Sequence, residues 1–231
     1  MDATWRKPAQ EAVAMGGCSL SKNPLGGAAI RSYVRAVEEW WFDTTRHVRT
    51  AGDVALPDAA KVVGEIRDSK MYVPVRVTNA HAALRELPCG DLSEYTFIDM
   101  GSGKGRMLFV GAEYPFRKVM GVEFSGDLHK QARANIGTYK HRRQRCGDIE
   151  SVHADAAAFE FPDEKLVIYM FNPFGPEVMR AMLTNLERSL KRSPRHVVVV
   201  MLWPERADVV AGMAWMREYR KTRRYHVYQT A

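Results

Sequence analysis

The sequence predicts an α/β fold built on a mainly parallel sheet, and three observations lead to that class. First, a short apolar run at residues 96–98 ends in Asp99 and is followed by a glycine-rich turn. Second, a helix-like stretch leads to another apolar run, at residues 119–122, which ends in Glu123. Third, two later runs are almost continuously apolar, as strands buried on both faces are; they lie at residues 165–171 and 196–202. The order strand, turn, helix and strand is the unit of a parallel sheet.

The glycine turn predicts a ligand site. Gly101, Gly103 and Gly105 stand at alternate positions, and glycine allows both a sharp turn and close approach of a ligand to the backbone. The turn leads into a helix N-terminus, where free N–H groups and the helix dipole favour negative charge. Carboxylates at strand tips lie outside the carboxyl edge of the sheet, where such folds bind ligands. Glu123 follows Asp99 by 24 residues, close to the spacing of an acid that accepts ribose hydroxyls.

The spacing of the glycines departs from the dinucleotide fingerprint. That fingerprint is G-x-G-x-x-G, whereas the third glycine here comes one residue earlier. The acid in front of the glycines would repel a pyrophosphate and suit a cationic amine. A nicotinamide dinucleotide enzyme is therefore an alternative that the turn disfavours.

The pattern D-x-G-x-G-x-G, from Asp99 to Gly105, resembles the first motif of class I S-adenosylmethionine-dependent methyltransferases. The resemblance extends from about residue 72 to the C-terminus, and the piece EFSGDLHKQARANI is similar to bacterial methyltransferases of the GSGKGR type. It implies a Rossmann-like methyltransferase fold with a mainly parallel seven-stranded sheet and helices on both faces. It also implies S-adenosyl-L-methionine as the cofactor, with these predicted ligands: Asp99 and the turn Gly101, Ser102, Gly103 and Gly105 for the methionine part, Glu123 for the ribose and Asp155 for the adenine.

The first 90 residues are predicted to be an N-terminal helical extension, a possible lid, in front of a cofactor-binding domain at residues 91–231. Apolar residues at helical spacing predict a helix over residues 28–41 that covers the core. The stretch 40–53 has little periodicity and reads either as a substrate loop or as an ordinary connection. Within it His47 is a candidate proton acceptor, although a single histidine is more often structural.

Tyr72 begins a Tyr-x-Pro segment, and Thr78 is a plausible N-cap for a helix over residues 79–87. The segment resembles the region before the first motif in two groups of enzymes, the histone lysine methyltransferases that act on the nucleosome core and small lysine methyltransferases of mitochondrial proteins. That resemblance implies that Tyr72 lines the cofactor pocket. The alternative is an aromatic side chain in a core-facing loop.

The remaining elements follow from the same signals. Residues 59–67 predict a short helix, and residues 104–113 the first helix after the turn. Ser125 is an N-cap for a helix over residues 126–136, and Pro176 suits the first turn of an amphipathic helix. Residues 149–153 predict a third strand, and residues 206–213 a short helix. The segments 216–220 and 224–230 predict a closing antiparallel hairpin.

The methyl acceptor is predicted at Asn172-Pro173-Phe174-Gly175, at the end of the run 165–171. This resembles the Asn/Asp-Pro-Pro-aromatic motif of amine-directed methyltransferases, which implies that Asn172 and Phe174 orient the target nitrogen. The single proline departs from the DNA adenine pattern and puts a base substrate in doubt. The alternative is a plain strand-ending turn, because Asn-Pro is common in turns.

Composition narrows the class. The chain has 231 residues, 46% hydrophobic and 26% charged, which is typical of globular proteins. No apolar run approaches the roughly 20 residues that cross a bilayer, and no secretory signal is evident, so we expect a cytoplasmic protein without a membrane partner. Three scattered cysteines predict reduced thiols and no metal site. The net charge of +7 and several basic clusters allow a nucleic-acid partner.

The sequence thus predicts a methyltransferase that acts on a nitrogen, with protein lysine slightly ahead of a small-molecule amine. A nucleic-acid methyltransferase is the alternative within the class. A cofactor-binding protein without turnover is the alternative outside it.

Overall fold

The computed structural model describes residues 25–55 and 71–231. Their helices are α1 (Leu25–Arg46), α2 (Val77–Leu84), α3 (Arg106–Gly111), α4 (Gly126–Thr138), α5 (Pro176–Arg192) and α6 (Ala207–Ala211). Their strands are β1 (Val54–Ala55), β2 (Met71–Tyr72), β3 (Tyr95–Met100), β4 (Lys118–Glu123), β5 (Ile149–His153), β6 (Lys165–Met170), β7 (Val197–Leu202), β8 (Met216–Lys221) and β9 (Tyr225–Thr230). The helix predicted over residues 59–67 and the cysteine Cys18 lie outside these residues.

Seven strands form one sheet in the order β5-β4-β3-β6-β7-β9-β8. The first five are parallel, and β9 is antiparallel to both β7 and β8. This confirms the predicted mainly parallel sheet and its closing hairpin. The strand order reverses at β3: β4 and β5 are added on one side of it, and β6 and β7 on the other. At such a point a crevice for a ligand opens beyond the carboxyl end of the strand. Strands β1 and β2 form a separate antiparallel pair.

Side chains alternate between two cores on opposite faces of the sheet. Phe97, Val167 and Val198 point into one core, and their neighbours Ile98, Ile168 and Val199 point into the other. Helices α2 and α3 pack on the first face, and α5 and α6 on the second. Alternation with both faces buried explains why the strands read as continuous apolar runs.

Two predicted helix starts are confirmed. The Ser125 hydroxyl accepts a hydrogen bond from the Leu128 N–H at 3.4 Å, and Pro176 is the first residue of α5. The helix start predicted at Thr78 is wrong. Helix α2 begins at Val77 after Arg76, so Thr78 lies inside the helix and does not cap it. The proline at position 74 limits only the residue before it, which leaves the helix free to start at residue 77.

The stretch 40–53 is also corrected. Helix α1 continues to Arg46, so only residues 47–53 form a loop. The chain divides into two compact units, Met1–Glu38 and Glu39–Ala231. In the second unit Phe42 is buried in the core. Trp41, which the sequence predicts on the core-covering face of the helix, is 62% exposed. The functional division at residue 90 stays a prediction.

None of the helices described is long and apolar enough to cross a membrane. Cys89 and Cys146 are free thiols. Within residues 25–55 and 71–231, no cluster of three or more His, Cys, Asp or Glu side chains could hold a metal ion.

Candidate functional site

Three carboxylates lie at the ends of three adjacent strands. Asp99 lies near the end of β3, Glu123 ends β4, and Asp155 follows β5 by two residues. Because β3, β4 and β5 are parallel neighbours, their carboxyl ends meet at one edge of the sheet. All three residues line one cavity of about 830 Å³, within the usual size range of ligand pockets.

The glycine turn after β3 has the backbone that the sequence predicts. Gly101, Gly103 and Gly105 have φ values of 81°, 55° and 87°, in the left-handed region that favours glycine. A Cβ on Gly101 would lie 2.4 Å from Pro173 Cβ, and one on Gly103 would lie 2.3 Å from the Tyr72 ring. The turn is therefore packed between these two side chains.

Backbone N–H groups of the turn donate within the protein. Those of Gly101 and Ser102 donate to the Val122 carbonyl at 2.8 and 3.1 Å, and that of Gly105 donates to the Ser102 carbonyl at 2.8 Å. That of Gly103 donates to Glu123 Oε2 at 2.7 Å. These bonds fix the shape of the turn, and contact of the same groups with a methionine moiety stays a prediction.

Asp99 and Glu123 are carboxyl groups largely removed from water, 5% and 7% exposed. Burial, with a further contribution from the charge of Glu123, raises the pKa of Asp99 well above its ordinary value. Burial also raises the pKa of Glu123, against the N–H donors of Ser125, Gly103 and Phe124. Glu123 Oε1 accepts the Ser125 N–H at 2.8 Å, so both its oxygens are held in place. Each keeps a lone pair for a ligand hydroxyl.

Asp155 is positioned by the short turn that it caps. Its Oδ1 accepts the Ala157 N–H at 2.8 Å, at the start of the 3₁₀ turn Ala156–Ala158. The second carboxylate oxygen is not used in that bond, and the residue lines the cavity. This is the position predicted for an adenine contact.

Tyr72 lines the same cavity from the N-terminal part of the chain. Its hydroxyl donates to the Thr50 carbonyl at 2.9 Å, and the Lys104 ammonium lies 5.0 Å from its ring centroid. Burial raises the pKa of the Tyr72 phenol, so the group stays protonated and acts as a donor. Tyr72 therefore serves as a wall rather than as a base.

Loop residues 47–53 are bound tightly beside the glycine turn. Asp43 accepts the Thr50 N–H at 2.7 Å and the Ala51 N–H at 2.9 Å. Asn135 accepts the Arg49 N–H at 2.8 Å and donates to the carbonyls of Arg49 and Lys104 at 3.1 and 2.9 Å. These contacts make the loop a fixed strap over the turn. His47 lines a different cavity and is not brought to this one.

At the other side of the cavity, Asn172 and Trp203 form a linked pair at the ends of β6 and β7. Both have left-handed backbones, with φ of 43° and 49°, which non-glycine residues rarely adopt. Asn172 Nδ2 donates to the Trp203 carbonyl at 2.5 Å. That bond orients the amide and leaves Asn172 Oδ1 buried without a hydrogen-bond partner among the described residues.

The cavity wall holds further polar atoms of this kind. Ser102 Oγ and the Tyr169 hydroxyl are buried and, in the part of the chain described, have no hydrogen-bond partner. Burial and the charge of Asp99 raise the pKa of Tyr169. Buried unpaired polar groups are uncommon in proteins, and these lie in residues that line the cavity. The structure thus brings Tyr72, the three acids and the turn residues Gly101, Ser102 and Gly103 together with Asn172 and Phe174 around one cavity. Gly105, which was predicted as a further cofactor ligand, does not line that cavity.

Sequence reasoning missed Trp203, Glu205 and Tyr169 as lining residues. The Trp203-Pro204 pair is visible in the sequence only as the end of a strand. A signal existed nonetheless, because residues that directly follow parallel strands β6 and β7 must meet at the same edge as Asp99.

Residues 97–193 match a protein-family model described as a methyltransferase domain. No curated protein sequence matches the chain. The match runs from within β3 to the end of α5, so it includes the glycine turn and the strand-end residues Asp99, Glu123, Asp155 and Asn172.

Several solved structures are similar to the chain. The ribosomal protein L11 methylase from Lactobacillus delbrueckii subsp. bulgaricus is 14% identical over 66% of this chain and 76% of that chain, with a TM-score of 0.45. A predicted N6-adenine-specific DNA methylase from Listeria monocytogenes is 17% identical over 74% and 53%, with a TM-score of 0.49. An RNA methyltransferase from Salinibacter ruber, in complex with S-adenosyl-L-homocysteine, is 19% identical over 68% and 92%, with a TM-score of 0.41. Similarities at this level do not distinguish one acceptor from another.

Proposed function

We propose that this chain, an S-adenosylmethionine-dependent methyltransferase, transfers the methyl group to the nitrogen of an amine, in a protein lysine or a small molecule. The observation that carries the proposal is the amide of Asn172. Its NH₂ group is held by the Trp203 carbonyl, and its buried Oδ1 is left as an acceptor beside the cavity. An oxygen acceptor in that place suits a substrate that carries N–H groups.

The cavity fits the cofactor in charge and in hydrogen-bonding capacity. Asp99 would hold the cationic amine of the methionine part, Glu123 the ribose hydroxyls and Asp155 the adenine amino group. Tyr72 would pack over the methionine end. When bound, S-adenosylmethionine supplies a methyl group on a positively charged sulfur, which is a good leaving group. The protein therefore has mainly to position the acceptor and exclude water.

The acceptor side of the cavity suits a cationic amine. Phe174 and Trp203 present aromatic rings, and rings of this kind attract ammonium groups. Glu177 and Glu205 line the same side and add negative charge. Before transfer the ammonium gives one proton to solvent water, so that its nitrogen has a lone pair for the methyl carbon. Asn172 Oδ1 would then accept an N–H bond and direct that lone pair.

Cofactor binding is tested by calorimetric titration of the full chain with S-adenosylmethionine, with a nicotinamide dinucleotide as comparison. We expect micromolar binding of S-adenosylmethionine that is weakened at least about 100-fold in Glu123→Ala, since the change removes a charged acceptor and frees the Gly103 N–H. Binding of the dinucleotide alone would contradict these assignments.

The acceptor is tested with methyl transfer to lysine peptides, small primary amines and oligonucleotides. In Asn172→Ala we expect kcat to fall roughly 100-fold with cofactor affinity within about threefold of the wild type. Thr184→Ala is the control, because that exposed side chain donates to the Arg180 carbonyl within α5 and does not line the cavity. Transfer to hydroxyl groups, or full activity of Asn172→Ala on an amine, would overturn the proposal.

A nucleic-acid methyltransferase is the second candidate, and one observation favours it. A strongly basic cavity lies outside the site described above. Methylation of an oligonucleotide base in the same assay, with no transfer to amines, would establish it.

A further inference from the structure

A second cavity, of about 790 Å³, lies where α1 ends and the loop after α4 begins. Six of its nine lining residues carry arginine, lysine or histidine side chains, and none is acidic; the nine are Trp41, Thr45, Arg46, His47, Lys140, His141, Arg142, Arg143 and Gln144. All belong to the unit Glu39–Ala231. The arginine and lysine side chains among them are Arg46, Lys140, Arg142 and Arg143, and four cations in one concave site are suited to phosphate groups.

The basic loop is held rigidly against α1. The Lys140 N–H donates to the Arg46 carbonyl at 3.2 Å, and the Arg145 N–H donates to the Ala112 carbonyl at 2.7 Å. The buried Glu113 carboxylate pairs with the Arg46 guanidinium and lies 3.9 Å from that of Arg143. The cavity is therefore organised before any ligand arrives, which lowers the entropic cost of binding.

One buried carboxylate does not neutralise this cluster. Glu113 also lies 3.4 Å from His141 Nδ1, so four lining or neighbouring side chains already share its charge. Lys140 and Arg142 are exposed and form no salt bridge with any described residue. The cavity keeps an excess of positive charge.

The backbone conformation of His47, which lines this cavity, also favours a ligand site here. This residue follows the last residue of α1 and has φ of 58°, and the Val48 N–H donates to the Asp43 carbonyl at 3.0 Å to close the helix. Glycine is the residue that this helix-ending position favours, since a side chain is strained there. A histidine retained at this left-handed position beside the basic cavity is therefore a candidate ligand contact.

Trp41 adds a flat aromatic surface at the same place, 62% exposed to solvent. A basic groove with an exposed aromatic ring is the arrangement that binds single-stranded nucleic acid: the cations hold phosphates and a base stacks on the ring. We propose that this cavity binds a single strand of nucleic acid, with its phosphates near Arg46, Lys140, Arg142 and Arg143 and one base on Trp41.

The proposed strand site is separate from the methyltransferase cavity. Ser125, before the first turn of α4, lines the methyltransferase cavity, whereas Lys140 follows the last turn of the same helix. A helix of 13 residues is about 20 Å long, so about that distance separates Ser125 from Lys140. Elsewhere the cavities are closer, since Arg46 of one and Arg106 of the other lie 4.2 and 4.7 Å from the centroid of the Phe42 ring. The two cavities share no lining residue, so strand binding and methyl transfer can be measured separately.

The test is fluorescence anisotropy of labelled oligouridine with the full chain, repeated over a series of salt concentrations. Lys140→Ala/Arg142→Ala should weaken binding at least about tenfold and reduce the slope of log K against log salt by roughly 0.7 for each phosphate that the variant no longer neutralises. Trp41→Ala should weaken binding about tenfold, and Trp41→Phe should restore it because the ring is retained. His47→Gly should bind less tightly while unfolding at no lower urea concentration, since glycine relieves the strained backbone.

The matched control is Arg188→Ala/Lys191→Ala, which removes the same charge from exposed positions on α5. An equal loss of affinity in that control would mean that oligouridine responds to the net charge of the protein and not to this cavity, and it would overturn the proposal. So would competition by polyglutamate as strong as that of unlabelled oligouridine, which would identify an acidic protein as the partner, or the absence of binding at low salt. Titration with S-adenosylmethionine checks that each variant is folded, and its result does not depend on this cavity.

Discussion

Asp99 is a carboxyl group that the fold keeps away from water, and this has a measurable consequence for ligand binding. Its pKa is raised by burial and then by the charge of Glu123, so at pH values between its ordinary 3.8 and its raised value the free protein holds a proton there. A cationic amine beside it lowers the pKa and releases that proton. We expect the affinity for S-adenosylmethionine to rise with pH through this range and then to level off.

The proton release is measured by calorimetric titration in buffers that differ in ionisation enthalpy. In Asp99→Asn the release from this group should disappear and binding should weaken. A release that is unchanged in Asp99→Asn would assign the proton to another group, with Glu123→Gln as the first comparison.

For single residues, the sequence predicts the acidic side chains of the cavity but not the other residues that line it. Asp99, Glu123 and Asp155 could be placed because each follows a readable strand, and parallel strands bring their ends to one edge. Trp203 and Tyr169 could not be placed in the same way. Their roles depend on the adjacency of β6 and β7 and on two left-handed backbones, and a single sequence encodes neither locally.

Among the larger elements, the strap formed by residues 47–53 depends on one side chain of α4. Asn135 is 2% exposed and bonds to the Arg49 N–H, the Arg49 carbonyl and the Lys104 carbonyl. Asn135→Ala should lower the free energy of unfolding by about 2 kcal/mol, because buried backbone groups lose their partners. It should also weaken S-adenosylmethionine binding, since Lys104 belongs to the glycine turn.

Urea unfolding checks this prediction, with Lys130→Ala on the exposed side of the same helix as control. The control should stay within about 0.5 kcal/mol of the wild type. A loss in Asn135→Ala no larger than that of the control would mean that the other contacts of the strap, among them those of Asp43, Tyr72 and Lys104, hold it without Asn135.

The elements show where local reasoning fails. Periodicity and capping predicted the seven strands of the main sheet and most helices but not β1 and β2, and residues 40–46 were assigned to a loop although they continue α1. Their helix has an unusual buried face, because Arg46 is buried against Glu113, 67 residues later in the chain. A charged residue whose partner is that distant looks like a surface residue in sequence.

For the whole molecule, the surroundings of Glu113 predict how stability depends on pH. Burial lowers the pKa of His81 and of His141 below their ordinary 6.5, in spite of the opposing charge of Glu113. Below pH 6.5 the unfolded chain then binds more protons than the folded chain at these positions. Their contribution to the free energy of unfolding is complete above pH 6.5 and is lost as the pH falls below it.

A pH series of urea midpoints measures this effect. We expect a shallower fall on the acid side for His81→Gln/His141→Gln than for the wild type. Asp99 and Glu123, whose pKa values are raised, act in the opposite direction above their ordinary values, but both chains contain them and they cancel in the comparison. Parallel curves for the two proteins would exclude the histidines as the cause.

The hairpin of β8 and β9 lies outside the segment that matches the family model, which limits the use of that segment in protein engineering. The match ends at residue 193, before β7, yet β7 pairs with β6 on one side and with β9 on the other. A transplanted segment of residues 97–193 would leave β6, which is apolar after Lys165, as an unprotected edge, and such an edge is a template for aggregation. It would also leave behind Tyr72 and Trp203, which line the cavity of the candidate site. The family match thus marks a stretch of chain that is shorter than the stretch needed to complete the sheet and this cavity.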